Sequence, residues 1–339
     1  MQEVNIGFLG FGNIGTGVYR VIETYGKSAF EREGFKPRVK KILVRDINKK
    51  RKIDVDKQLF TNDIKDIIDD PEISIVVEFM GGEEPAASYI LEALRKKKTV
   101  VTANKEVMAR RWVELENTAR EKKVGLYFEA SVAAGIPIIK VIRESLQANN
   151  ICQIMGIING TTNYILTKMS DHGMCFADVL QEAQRLGYAE PDPTFDVEGL
   201  DAMFKLSILS TLAFHSRVPV EAIYTEGITR ITIDDINYGR ELGYVIRLLA
   251  IAKKYGDAIE ARVHPTFIPQ DHPLASVRDS YNGIYIKGDA VGDLMLYGRG
   301  AGDMPTASAI VSDIISACLN KYSHIYPTTG NKYQVREDA

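Results

Sequence analysis

Residues 4–22, VNIGFLGFGNIGTGVYRVI, decide the fold. Val4 to Leu9 is a short apolar run that ends directly in Gly10-Phe11-Gly12-Asn13-Ile14-Gly15, after which Val18, Val21 and Ile22 continue at helical spacing. The order is strand, glycine loop, helix. In such a G-x-G-x-x-G loop the first glycine makes the tight turn, the second lets the backbone approach a pyrophosphate, and the third lets helix pack on strand. A bare glycine-rich turn has the same letters. Its place between a strand and a helix near the N-terminus is what points to dinucleotide binding through Gly10 to Gly15.

The strands that follow fit a parallel sheet. Val39 to Val44 ends at Arg45-Asp46, followed by Asn48, Lys49, Lys50, Arg51 and Lys52. An acid at this strand end holds the ribose hydroxyls of NAD, and a base accepts the 2′-phosphate of NADP. Arg45 and the basic run favour NADP, although the run reads equally as a solvated loop. Ile73 to Phe79 reads as a buried strand, followed by Met80-Gly81-Gly82 and a helix opening near Pro85. That turn, with Gly81, is expected over the cofactor. Lys98 to Thr102 is a further strand ending in Ala103-Asn104-Lys105-Glu106, and side chains at the carboxyl ends of such strands line the ligand crevice. Lys105 is therefore expected to point at cofactor and substrate, with a plain surface lysine as the alternative. Lys96, Lys97 and Lys98 read as a solvated helix end. Val124 to Phe128 is the last strand of a first domain spanning 1–129.

The densest chemistry lies in residues 187–205, GYAEPDPTFDVEGLDAMFK, which hold five acids and one lysine. Glu190 and Asp192 each precede a proline, which favours extended backbone and a fixed loop. After Gly199 the residues Leu200, Met203, Phe204, Leu206, Ile208, Leu209, Leu212 and Ala213 leave almost no polar face, so this helix is expected to be buried. Asp201 and Lys205, four apart, share one side of it. An ordinary helix salt bridge has this spacing too. A lysine on a buried helix is costly unless paired or functional, and desolvation is one way a lysine becomes a usable acid or base.

Between these regions, Glu129-Ala130-Ser131-Val132-Ala133-Ala134-Gly135-Ile136-Pro137 offers small residues, one acid and several carbonyls, the equipment for a hard cation; a close-packed domain crossover would look the same. Asn159-Gly160-Thr161-Thr162-Asn163 opens a helix, either as N-cap chemistry or as a substrate contact. Tyr224 to Ile228, Arg262 to Ile268 and Asn282 to Lys287 read as strands, with a helix across Ile236 to Lys254. Tyr297 to Ser308 is a second glycine-rich turn before a helix, and Gly302 there could meet an anionic group. The last dozen residues read as a loose tail.

The whole composition narrows the function. With 339 residues, 45% hydrophobic content and a net charge of -3, the chain reads as two globular domains with no broad basic surface, so small-molecule partners are expected rather than nucleic acid. The three cysteines are widely separated and fit reduced thiols. No histidine or cysteine spacing suggests a transition-metal site. No apolar run reaches the ~18 residues of a membrane span and the N-terminus lacks a signal pattern, so a cytoplasmic location is expected.

With these segments assembled, the chain resembles a homoserine dehydrogenase from Val4 to about Ile315. The resemblance is carried by GFGNIG, EFMGG, VVTANK, FEASVAAGIPII, GIINGTTNYILTKM, the 187–205 stretch, VHPTFIPQDHPLASV and YGRGAGDMPTASAIVSDI. The 187–205 stretch and GTTNYIL are the most specific of these. The resemblance implies an α/β fold, an N-terminal Rossmann NAD(P)-binding domain with an α+β substrate and dimerisation domain over 130–299, the segment from about 300 to 339 packing back on the first. It implies reversible NAD(P)-linked interconversion of L-aspartate 4-semialdehyde and L-homoserine, in threonine, methionine and isoleucine supply, by a homodimer. Carried over residue by residue, Lys205 is the acid/base, Asp201 contacts substrate, Gly187 and Glu190 line the substrate site, and Lys105 lies beside nicotinamide and substrate. A sodium ion would be held by the Glu129 side chain and by main-chain oxygens of Val132, Ala134 and Ile136. Many relatives continue into a regulatory ACT domain or are fused to an aspartate kinase, and this chain ends at Ala339; weak inhibition by threonine, competitive with homoserine, is the corresponding expectation.

The residues support this chemistry on their own. Reducing an aldehyde needs a hydride donor and a proton for the oxygen that becomes an alkoxide, and a cationic lysine aimed at that oxygen supplies the second. A substrate ammonium group needs acids, which Glu190, Asp196 and Asp201 offer. The rival readings are another amino-acid dehydrogenase, which the 187–205 stretch disfavours, and a non-catalytic dinucleotide sensor, which the intact lysines and acid cluster disfavour.

Overall fold

A computed structural model describes residues 1–319 and 334–335, and the chain divides into two compact units. The first takes Met1–Gly135 together with a return segment that begins at Gly302, and the second takes Ile136–Ala301 together with residues near the C-terminus.

The first unit opens with β1 (Gln2–Leu9), α1 (Asn13–Glu23), α2 (Lys27–Arg32), β2 (Phe35–Leu43), β3 (Phe60–Thr61), α3 (Lys65–Ile68), β4 (Ile73–Glu78), α4 (Ala86–Arg95), β5 (Thr99–Thr102), α5 (Lys105–Lys122) and β6 (Leu126–Tyr127). All six strands are parallel, in the order β3-β2-β1-β4-β5-β6. This is the doubly wound order, which reverses at β1 and leaves a crevice outside the strand ends there. Leu9 is in register with Leu43 on one side and Glu78 on the other, and Glu78 with Thr102. The carboxyl ends of β2, β1, β4 and β5 are therefore flush. Everything that follows them lies along one edge: Gly10, Arg45, the Phe79–Gly82 turn and Ala103–Lys105.

Lys98 departs from its expected place as a solvated residue. It is 4% exposed, and its Nζ donates to the carbonyls of Asp70 at 2.6 Å and Ile73 at 2.7 Å. Burial pushes its pKa down against the pull of Asp70 and Asp69. Spacing could not show this, because the acceptors are backbone carbonyls on the turn into β4. Lys98→Ala leaves both carbonyls without that donor, and a stability loss of about 1–3 kcal/mol in urea unfolding is expected; an unchanged midpoint would mean that water replaces the ammonium at no cost.

The second unit contains α6 (Ile138–Lys140), β7 (Ile151–Ile157), α7 (Gly160–His172), α8 (Phe176–Leu186), α9 (Thr194–Val197), α10 (Leu200–Phe214), β8 (Tyr224–Thr225), α11 (Ile233–Glu241), β9 (Tyr244–Tyr255), β10 (Ala258–Pro269), β11 (Tyr281–Gly288) and β12 (Gly292–Arg299). Its sheet runs β12-β11-β7-β9-β10, with β8 beside β10. The helix expected over Ile236 to Lys254 is corrected here. Helix stops at Glu241, Gly243 turns the chain at φ 82°, and β9 follows as a twelve-residue strand. β9 lies between β7 and β10, so Ile246 to Ala252 are buried on both faces. A run apolar on both faces has no period by which strand and helix differ. The helix α10 is buried as expected, all but Leu200 and Met203.

The chain then returns to the first unit as α12 (Asp303–Cys318). Ile310 and Ile314 of α12 join Val18 and Ile22 of α1 in one core. Gly17 allows the approach, since a Cβ there would stand 3.1 Å from the Asp303 carbonyl oxygen. A short strand β13 (Gln334–Val335) pairs parallel with β10, and the rest of the expected loose tail lies outside the described residues. Among the described residues no helix is long and apolar enough to cross a membrane.

Candidate active site

The three loop glycines divide their work as the motif requires. Gly10 turns at φ 103°, which a side chain disfavours. At Gly12 the backbone is extended (φ -84°, ψ -152°), and a Cβ there would meet nothing within 4 Å. At Gly15 a Cβ would meet the Phe79 ring at 3.0 Å and the Gly10 carbonyl oxygen at 3.2 Å. The loop is thus tight at its first and third glycines and open at its second. No side chain caps the N-terminus of α1 and its first turn holds no acid, which leaves its N–H groups suited to a phosphate. Phe11 and Ile14 point into the core, so any contact they make with a cofactor is through backbone.

Arg45 is exposed just past the end of β2. The basic run after it is not a free loop. Arg51 donates to the Asp46 carbonyl at 2.6 Å and lies over the Phe60 ring, while Lys52 Nζ donates to Asn13 Oδ1 at 2.9 Å. Lys52 therefore reaches the glycine loop itself, a link the spacing of 39 residues hid.

Beside the loop, Glu78 ends β4 fully buried. It accepts from Thr102 Oγ1 at 2.5 Å and from the Met80 N–H at 2.6 Å, and burial raises its pKa against these bonds. Asn104 donates to the Gly82 carbonyl at 2.7 Å and caps α5 by accepting from the Val107 N–H. These two residues fix the Met80–Gly82 turn, where Gly81 and Gly82 have φ of 78° and 72°. Lys105 follows as the first residue of α5, partly exposed at the sheet edge. Gly302, at φ 120°, stands at the start of α12.

In the second unit, the turn from β7 into α7 and the start of α10 assemble an acid–base cluster. Lys205 is 9% exposed, and its Nζ donates to Asp201 Oδ2 at 2.7 Å and to the Ile158 carbonyl at 2.8 Å. Asn159 donates to Asp196 Oδ1 at 2.7 Å and to Asp201 Oδ2 at 2.8 Å. Burial and the charge of Asp201 push the Asp196 carboxyl up, against Asn159 and Lys205. The arrangement holds the buried Lys205 amine between a carboxylate and a carbonyl, where water has little access.

Asp196, Asp201 and Lys205 thus meet, and Asn159, left open between two roles in the sequence, joins them. Glu190 stays exposed. Its loop is braced instead through backbone: Gln184 Nε2 donates to the carbonyls of Glu190 and Pro191 at 3.1 and 3.2 Å, and Thr161 Oγ1 to that of Tyr188 at 2.7 Å. Gly187, at φ 78°, ends α8 where this loop starts. Glu129 is 3% exposed, its N–H donating to Asp313 Oδ2 at 2.8 Å, and Val132, Ala134 and Ile136 are also buried.

Two family models match: "Homoserine dehydrogenase, NAD binding domain" over residues 10–129 and "Homoserine dehydrogenase" over 137–315. The chain belongs to the homoserine dehydrogenase family. It is 44% identical to the homoserine dehydrogenase of Bacillus subtilis over 98% of its own length and 76% of the relative's. Against that of Corynebacterium glutamicum it is 47% identical, over 94% and 73%. Among solved structures, a homoserine dehydrogenase from Thiobacillus denitrificans superposes with a TM-score of 0.91 at 43% identity, covering 99% of this chain and 80% of that one. A hyperthermophilic archaeal homoserine dehydrogenase in complex with NADPH gives 0.80 at 29% identity, covering 94% and 98%. As a homoserine dehydrogenase the chain is an oxidoreductase that interconverts L-aspartate 4-semialdehyde and L-homoserine with a nicotinamide cofactor, and its first unit is the NAD-binding domain.

Proposed function

We propose that Lys205 is the general acid/base of this reaction and that the cofactor is NADP, or NADP and NAD comparably. The observation that carries the first point is the Lys205 ammonium, buried on α10 and held by Asp201 and the Ile158 carbonyl. Two of its three protons are directed at those acceptors, and the third is offered to the substrate oxygen. A bound nicotinamide cofactor would supply the hydride to the aldehyde carbon. As the C=O π pair moves onto oxygen, Lys205 gives that oxygen its proton and the alcohol forms; in the reverse direction neutral Lys205 takes the hydroxyl proton. Asp196 and Asp201, with Glu190 from the braced loop, serve the substrate ammonium, and Gly187 lets the loop turn. Lys105 is proposed as a contact to nicotinamide and substrate. Appearance or loss of absorbance at 340 nm with homoserine and NADP, in wild type and a Lys205 variant, tests the assignment.

The residues present fit the cofactor: Gly10 to Gly15 for the pyrophosphate, Gly81 and Gly302 at the neighbouring turns, and Arg45 for the 2′-phosphate. Arg45→Ala should weaken NADP by about 10- to 100-fold and leave NAD nearly unchanged, because only NADP carries the group that a charge-assisted bond worth about 1.5–3 kcal/mol would hold. Equal losses in the two Kd values would place Arg45 outside the ribose pocket. The run with the buried Glu129 side chain and the main-chain oxygens of Val132, Ala134 and Ile136 suits a hard cation with oxygen ligands, and sodium is the ion proposed. A cytoplasmic homodimer is proposed as the working form.

A further inference from the structure

We infer that Asn159 is a positioning residue that keeps Asp196 and Asp201 ionised side by side and so preserves the anionic partner of Lys205. This rests on Lys205 being the acid/base. Asn159 is 4% exposed at the junction of β7 and α7. Its Oδ1 accepts from the Thr162 N–H at 2.8 Å and from Thr162 Oγ1 at 3.0 Å. A backbone N–H can only donate, so the amide oxygen must face α7 and the NH₂ group must face the carboxylates. Its two protons then go one to Asp196 and one to Asp201. The amide is fully used, with no freedom to flip.

The second consequence is electrostatic. Asp201 Oδ2 takes a proton donor from each side, Asn159 and Lys205. The titratable groups that the amide meets are Asp196 from α9 and Asp201 from α10, and Asp201 in turn holds Lys205. Elsewhere on α7, Tyr164 is turned to Glu182 of α8, and Asp171 to Arg278. Two carboxylates near one another, with one lysine and no amide between them, would take up a proton more readily. Once that proton sits on Asp201, Lys205 loses its anionic partner. Asn159 also precedes α7 directly after Ile158, whose carbonyl holds Lys205, so one turn sets both partners of the lysine.

Two substitutions separate this role from simple capping. Asn159→Asp keeps a side-chain acceptor for the cap, where Asp and Asn serve about equally, but has no N–H for the carboxylates and adds an acid. Asn159→Ser also keeps a cap while adding no charge. The pH profile of kcat/KM for homoserine oxidation should have its acid limb raised by about one pH unit or more in Asn159→Asp, since three clustered carboxyls hold protons more tightly. Asn159→Ser should lower kcat by about tenfold or more with little change in the KM for NADP, because the two amide bonds to Asp196 and Asp201 are both lost. Acid limbs within about 0.2 unit of wild type and kcat within about twofold in both would overturn the inference, as would equal losses in kcat and melting temperature that Ser and Asp share. Should Asn159→Asp not fold, Asn159→Ser decides by its kcat and KM. Lys205→Ala is measured alongside. If it is inactive and the Asn159 limbs do not move, the lysine assignment stands and this inference fails; if it stays active, the lysine assignment fails and this inference with it.

Discussion

Lys205→Ala should reduce kcat by about 10²-fold or more while the Kd for NADP(H) changes little, because general acid/base catalysis contributes typically 10²–10⁴-fold and the glycine loop is untouched. The physical loss is twofold. The proton for the developing alkoxide disappears, and so does the positive charge that stabilises it before transfer. Asp201 would stay buried with the Asn159 amide still donating to it but without its ammonium partner, so some stability should be lost too. Measuring cofactor binding by fluorescence keeps that cost apart from the chemical one. Retention of more than about a tenth of wild-type kcat would move the acid/base role to another residue.

Gly12→Val should have the opposite signature: a stable protein that has lost its cofactor. A Cβ at Gly12 meets no protein atom within 4 Å and φ is negative, so neither packing nor backbone strain opposes a side chain. In the proposed cofactor site, the open space is where the pyrophosphate would approach the backbone. A valine there holds the phosphates away from the α1 N–H groups, and a displacement of about 1 Å can cost on the order of 10²-fold. The melting temperature should stay within a few degrees of wild type while the Kd for NADP(H) rises by about that factor. Gly15→Val gives the contrast, since its side chain would strike the Phe79 ring and the Gly10 carbonyl and should unfold the unit. If Gly12→Val binds NADP as wild type does, the loop is structural only.

Local sequence determined what depends on local geometry. The glycine loop, the parallel strands β1, β2, β4 and β5, the buried α10 and the i,i+4 pair of Asp201 and Lys205 could all be read from spacing, because turns, burial stripes and helix faces follow from a few consecutive residues. What tertiary structure decided lies at long separation or on two-sided surfaces. β9 read as helix because a strand buried on both faces has no alternation, and only its position between β7 and β10 makes it a strand. Lys98 read as solvated because its acceptors are carbonyls 25 and 28 residues away. Lys52 reaching Asn13, and Asn159 bridging Asp196 and Asp201 across 37 and 42 residues, are hydrogen bonds between side chains that no local rule pairs. Residue types and their periods set which groups can do chemistry; the folded backbone sets which of them share a proton, because a hydrogen bond needs its partners within about 3 Å and chain separation says nothing about that distance.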